Sequence, residues 1–185
     1  LPPQPDEAAA CEALLPAKDL DGITSGSAAA LYSGAGAGFA PCTAEAVVAL
    51  LKHYGVELSG KNVAVVGRSL VIGRPVSMLL LGENATVTMC HSRTRDLASV
   101  IRRADIVVAA MGKAEVLGAE YFTPGQTVID VGINWDEQEQ KLVGDVDFDA
   151  VEPIVAAITP VPGGVGTVTT SMLIGHVVEA AKKAE

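Results

Sequence analysis

Val63-Ala64-Val65-Val66-Gly67-Arg68-Ser69-Leu70-Val71-Ile72-Gly73-Arg74-Pro75 passes from an apolar β-branched run through a glycine into a helix-compatible segment. It reads as strand, tight turn and helix start. Gly67 and Gly73 let the backbone turn sharply and approach a ligand, while the helix N-terminus beyond them offers unpaired N–H groups and a positive dipole end to an anion. A phosphate suits that description. The spacing is Gly-x-Ser-x-x-x-Gly instead of the dinucleotide fingerprint Gly-x-Gly-x-x-Gly, so the pattern alone also permits an ordinary strand-to-helix turn.

Outward from this stretch the text alternates as successive βα units. The periodicity predicts a strand over 62–66, a helix over 75–81, a strand over 85–90, a helix over 95–102 and a strand over 106–110. A strand over 127–131 and a short apolar run over 154–158 continue the series. The fold class is therefore α/β: a Rossmann-like, doubly wound, mostly parallel sheet with helices on both faces and right-handed crossovers. Composition agrees, because 49% apolar residues with only 4% aromatics in 185 residues suit close helix-on-sheet packing built from Val, Ile, Leu, Ala and Gly.

Bulk charge and cysteine usage exclude several classes. The net charge is −9 and there is no basic run, so the electrostatic footprint of a nucleic-acid or anionic-membrane binder is missing. No apolar run is long enough to span a bilayer. Cys11, Cys42 and Cys90 are odd in number and widely spaced, which argues for a reducing compartment and against a disulfide framework or zinc site. His53, His91 and His176 show no metal-ligand spacing, so no metal is expected.

Upstream, 1–6 is extended by its prolines and 7–15 forms a short helix ending before Pro16. Asp19 and Asp21 before Gly22 read as a turn, and Lys18 as a surface lysine. Thr43 is a plausible N-cap for a helix over 44–54, ended by Gly55. Residues 134–147 read as a solvated loop or small hairpin. Thr159-Pro160-Val161-Pro162-Gly163-Gly164-Val165-Gly166 is a rigid loop rich in free backbone N–H groups, expected at a strand's C-terminal end, where open α/β sheets bind ligands. A helix over 169–183 follows, with Met172, Leu173, Val177 and Ala180 on one face.

The choice of dinucleotide follows from the second strand. NAD sites usually end it in Asp or Glu, which accepts from the ribose hydroxyls; here the corresponding position is His91, followed by Ser92-Arg93-Thr94. Arg68, Ser69 and Ser92 instead offer cationic and hydroxyl donors where a ribose 2′-phosphate would lie. NADP is favoured over NAD. Arg93 reads mainly as a solvated loop charge.

With these phrases placed, the chain resembles the bifunctional methylenetetrahydrofolate dehydrogenase/methenyltetrahydrofolate cyclohydrolase family. The matching text is Lys18-Asp19-Leu20-Asp21-Gly22, Pro41-Cys42-Thr43, Val66-Gly67-Arg68-Ser69 with Gly73 and Pro75, Asn84-Ala85-Thr86-Val87-Thr88, and Cys90-His91-Ser92. It continues through Asp130-Val131-Gly132-Ile133-Asn134, Gly144-Asp145-Val146, and Ile158 through the loop to Gly166. The resemblance runs from end to end, and the ordered set is specific where each phrase alone is weak.

The resemblance implies NADP-dependent oxidation of 5,10-methylenetetrahydrofolate to 5,10-methenyltetrahydrofolate, and hydrolysis of that product to 10-formyltetrahydrofolate. By matching positions it implies that Gly67, Arg68 and Ser69 cradle the cofactor phosphates, that Ser92 joins Arg68 at the 2′-phosphate, and that Ile133 lies beside the nicotinamide. Asp21 matches the family's catalytic acid that hydrogen-bonds the pterin, and Gly163, Gly164, Val165 and Gly166 match the cleft floor near folate and nicotinamide. A cytoplasmic homodimer acting on tetrahydrofolate derivatives is implied as well.

The family's Tyr-x-x-x-Lys phrase is absent, and Lys18, Lys52 and Lys113 do not match its catalytic lysine. The expectation is a fragment: residues 1–43 as the remnant of a second α/β domain that binds folate, 44–168 as the NADP-binding Rossmann domain, and 169–185 as a helix returning to the catalytic domain. Such a fragment binds cofactor and has little catalysis, and the face of Met172, Leu173 and Val177 should be under-buried. After Gly166 the family usually reads Pro-Met-Thr where this chain has Thr167-Val168-Thr169, and Ser27, Ala29 and Ala30 stand where relatives often have Asn, Gly and Arg. The alternative readings are a nonenzymatic NADP-binding module and a shikimate-dehydrogenase-like oxidoreductase, the latter disfavoured by the Pro-Gly-Gly-Val-Gly loop.

Overall fold

In a computed structural model, which describes residues 7–36 and 38–183, the chain forms a five-stranded parallel sheet. Its strands are β1 (Asn62–Val66), β2 (Thr86–Cys90), β3 (Ile106–Ala109), β4 (Thr127–Asp130) and β7 (Ala157–Ile158), in the order β2-β1-β3-β4-β7. From β1 the chain moves outward to β2 and then returns to β3 on β1's other side. The order therefore reverses between β1 and β3, and the C-terminal ends of these strands border the crevice where open α/β sheets bind ligands.

Side-chain alternation explains the two layers. Val63 and Val65 of β1 pack with Ile106, Val108, Ile129 and Leu80 on one face, while Ala64 and Val66 pack with Val107, Ala109, Val128 and Ile101 on the other. Helices α3 (Cys42–His53), α4 (Gly73–Gly82) and α7 (Val165–Lys183) supply the first layer; α5 (Leu97–Arg102) and α6 (Phe148–Val151) supply the second. A separate antiparallel ribbon, β5 (Asn134–Asp136) with β6 (Lys141–Val143), forms the hairpin expected within 134–147.

Several boundaries differ from the sequence reading. The expected extended stretch 1–6 lies outside the described residues, and α1 spans Glu7–Ala13. The Gly/Ala/Ser-rich region contains α2 (Ser25–Ser33), capped by Thr24 Oγ1 accepting from Ser27 N; it has no apolar periodicity to reveal it. Helix α3 begins at Cys42, so Thr43 is not its N-cap; Asp21 Oδ1 accepts from Cys42 N at 3.0 Å instead. Helix α4 starts at Gly73, and α7 starts at Val165, absorbing the end of the expected loop.

The α7 face divides. Met172 packs partly into the core beside Val165 and Val168, whereas Leu173 and Val177 are 40% and 47% exposed, together with Ile174 and Val178. The under-burial expected of Leu173 and Val177 is present, and Met172 differs because it lies toward α3 and the sheet. Among the described residues no helix is long and apolar enough to cross a membrane.

Candidate functional site

The β1–α4 turn is closed by two glycines whose absent side chains are required. Gly67 adopts φ +145°, and a Cβ there would lie 2.1 Å from Ala110 O; a Cβ on Gly73 would lie 2.3 Å from Gly67 O. The turn is thus pressed between the β3 exit and the first turn of α4, leaving bare backbone at the crevice. The helix end is not open as the sequence suggested, because Ser69 Oγ accepts from Ile72 N at 3.1 Å and Gly73 N at 3.3 Å. The Ser69 hydroxyl still has a proton to donate, and both Ser69 and Arg68 are exposed.

Strand register sets the neighbouring donor. Val66 pairs with Cys90, and Gly67 N donates to Cys90 O at 3.0 Å. Arg68 and Ser92 each stand two residues beyond these paired positions on adjacent parallel strands. The turn carrying Ser92 is held by His91 N donating to Thr94 Oγ1 at 2.8 Å and Arg93 N donating to His91 Nδ1 at 3.1 Å. Ser92 itself is exposed.

A second part of the crevice lies beyond β4 and β7. Ile133 and Gly163, Gly164, Val165 and Gly166 line one cleft of about 390 Å³, with Thr43 and Asp130. A Cβ on Gly166 would approach Ile133 Cδ1 to 4.0 Å, so the first turn of α7 faces Ile133 across a narrow gap. Asp21 connects to this cleft through α3: its Oδ1 accepts from Cys42 N, and Thr43 is the next residue. Asp19, by contrast, is buried and accepts from Ser27 Oγ at 2.6 Å, Thr24 N at 2.8 Å and Ile23 N at 3.0 Å. Burial alone would raise its pKa, but these donors together hold it below the ordinary value.

Two carboxylates that the sequence reading matched without assigning a role organise the crevice walls. Asp145 is fully buried and accepts from the amides of Met111, Gly112 at 3.0 Å and Lys113 at 2.9 Å, and from Asn134 Nδ2 at 3.0 Å. Asp130 accepts from Gly132 N, Asp145 N and Val146 N at 2.9, 3.0 and 2.9 Å. A Cβ on Gly144 would lie 1.9 Å from Asp130 Oδ2, and one on Gly132 would lie 2.3 Å from Asp145 Oδ1. That close approach is why glycines flank both acids.

Burial pushes the Asp130 carboxyl up to about 6 against the opposing pull of its amide donors, with the Asp145 charge adding to the rise. The folded state then holds more protons than the unfolded one between the ordinary value of 3.8 and about 6. Stability should fall as pH rises through that window, by a contribution of roughly 3 kcal/mol. Carboxyl ¹³C NMR should show Asp130 titrating near pH 6, and urea unfolding should show the matching slope; titration near the ordinary value would contradict it.

Cys42 is buried and its thiol is pushed up to about 12, first by burial and then by Asp21 and Glu45. It stays protonated and is no nucleophile. Among the described residues no His, Cys, Asp and Glu group could hold a metal.

A family model described as the NAD(P)-binding domain of tetrahydrofolate dehydrogenase/cyclohydrolase matches residues 41–185. The chain is 55% identical over 166 residues to the bifunctional protein FolD of Carboxydothermus hydrogenoformans, across 89% of this chain and 58% of that protein. The crystal structure of the bifunctional FolD methylenetetrahydrofolate dehydrogenase/cyclohydrolase from Campylobacter jejuni matches with TM-score 0.93 and 40% identity, across 99% of this chain and 66% of that one. The Trypanosoma brucei methylenetetrahydrofolate dehydrogenase-cyclohydrolase, complexed with NADP and an inhibitor, matches with TM-score 0.90 and 42% identity, across 100% and 65%. The chain therefore spans only part of the length of these relatives, 58% of the first and 66% and 65% of the two solved structures.

Proposed function

Since the chain belongs to the tetrahydrofolate dehydrogenase/cyclohydrolase family and carries its NAD(P)-binding domain, we propose that it binds NADP at the β1/β3 crevice. The protein it represents oxidises 5,10-methylenetetrahydrofolate and hydrolyses the methenyl product to 10-formyltetrahydrofolate. The observation that carries the cofactor choice is the placement of Arg68 and Ser92 beyond the paired Val66 and Cys90, with no carboxylate where an NAD site has one.

The residues present fit the cofactor. The side-chain-free backbone at Gly67 would let a pyrophosphate approach, and the Ser69 hydroxyl and the exposed Arg68 guanidinium would supply donors. Bound NADP would supply a hydride acceptor. Ile133 gives an apolar wall for the nicotinamide end, and the backbone of Gly163 to Gly166 lets the two rings approach without side-chain bulk. The Asp21 carboxylate would accept from a pterin amino or ring N–H; its anchoring by Cys42 N on Oδ1 supports that reading. The same proposal carries a homodimer and a cytoplasmic setting; the free thiols of Cys11, Cys42 and Cys90 support a reducing compartment.

Calorimetric titration of the chain should give NADP at least about tenfold tighter than NAD, with little turnover, since Lys18, Lys52 and Lys113 do not match the family's catalytic lysine. Equal affinities would overturn the cofactor reading. Robust hydrolysis of methenyltetrahydrofolate would refute the need for that lysine.

A further inference from the structure

His176 does not line the candidate cleft, yet it is buried in the middle of α7, 6% exposed, with its ring stacked on Phe39 at 4.4 Å. Its Nδ1 lies 2.7 Å from Leu20 O. A carbonyl oxygen only accepts, so Nδ1 carries the hydrogen and donates. Its Nε2 lies 2.7 Å from Glu45 Oε2 on α3. The Cys42 Sγ, 3.5 Å from Nδ1, also donates to Leu20 O at 3.3 Å. The Leu20 carbonyl therefore receives two donors from two helices.

Leu20 immediately precedes Asp21, and the backbone on its far side is equally confined. A Cβ on Gly22 would lie 2.5 Å from Phe39 O and 2.6 Å from Pro41 N. Leu20 O, the Asp21 carboxylate and Cys42 N thus form one chain of contacts, to which α7 contributes the imidazole. We infer that His176 is a positioning residue that aims the Asp21 carboxylate, through the Nδ1–H bond to Leu20 O, and so couples the C-terminal helix to the folate side of the cleft. Its bearing on substrate rests on the reading of Asp21 as the pterin-binding acid; the positioning itself does not.

Two substitutions separate aim from packing. In His176→Asn the amide nitrogen takes the place of Nδ1 and keeps the Leu20 bond, whereas in His176→Gln the amide reaches the Nε2 position and keeps Glu45 but loses Leu20. Amide hydrogen exchange at Cys42, whose N–H is bonded to Asp21 Oδ1, reports the carboxylate's position without any ligand. It should quicken about tenfold or more in the Gln variant and stay within about twofold of wild type in the Asn variant. NADP affinity should stay within about twofold in both, and tetrahydrofolate affinity, measured with oxygen excluded, should follow the exchange.

Equal exchange in the two variants, or no change in the Gln variant, overturns the positioning role. A joint loss of NADP affinity also overturns it, because it would show general loosening. If wild type fails to bind tetrahydrofolate while the exchange pattern holds, the positioning of Asp21 stands and the folate reading of Asp21 falls.

Discussion

Asp145→Ala is expected to lower stability by about 3–5 kcal/mol, because it removes the shared acceptor of several buried or half-buried donors. The amides of Met111, Gly112 and Lys113 and the side chain of Asn134 all converge on this one carboxylate. In its place alanine leaves a cavity at a residue of 0% exposure, and N–H groups that have lost their acceptor. For a chain of this length the thermal midpoint should drop by roughly 10 °C. NADP affinity should fall too, since the 111–113 segment follows β3 and borders the crevice opposite Gly67. Differential scanning calorimetry together with cofactor titration checks this. A midpoint within about 2 °C of wild type would show that the amides find other partners.

Arg68→Ala is expected to weaken NADP about 10- to 100-fold while changing NAD by less than about threefold. A charge-assisted bond to the extra phosphate contributes about 1.5–3 kcal/mol, and NAD has no group to receive it. Arg68 is exposed, so the fold should be little affected and the comparison between the two cofactors clean. Equal losses for both would place Arg68 on the pyrophosphate instead of the 2′-phosphate. Raising the salt concentration should shrink the preference for NADP, because an exposed ion pair is screened.

The parallel sheet was legible in the sequence because its signal is local and repeated. Val63 to Val66 and Ile106 to Ala109 are continuous apolar runs, and Thr127 to Asp130 carries the β-branched Thr-Val-Ile, as suits strands buried on both faces. The need for glycine at Gly67 and Gly73 was readable too, although the reason for it was not. Only the packing shows that Gly67 is confined by Ala110 O, a residue across the sheet. Helix α2 was missed for the opposite reason: Ser25–Ser33 is held by a Thr24 cap and a left-handed Gly34, without an apolar stripe.

The sequence by itself determined the fold class, the glycine-bounded turn after β1 and the missing acid after β2, since each depends on residue types within a short window. Tertiary structure decided which polar groups are structural. Asp145 meets Met111 across 34 positions and His176 meets Leu20 across 156, and no periodicity records pairings at such separations. A buried carboxylate or imidazole is placed by the need to satisfy donors and acceptors that folding brings out of water. That need exists only once the sheet, α3 and α7 have closed around it.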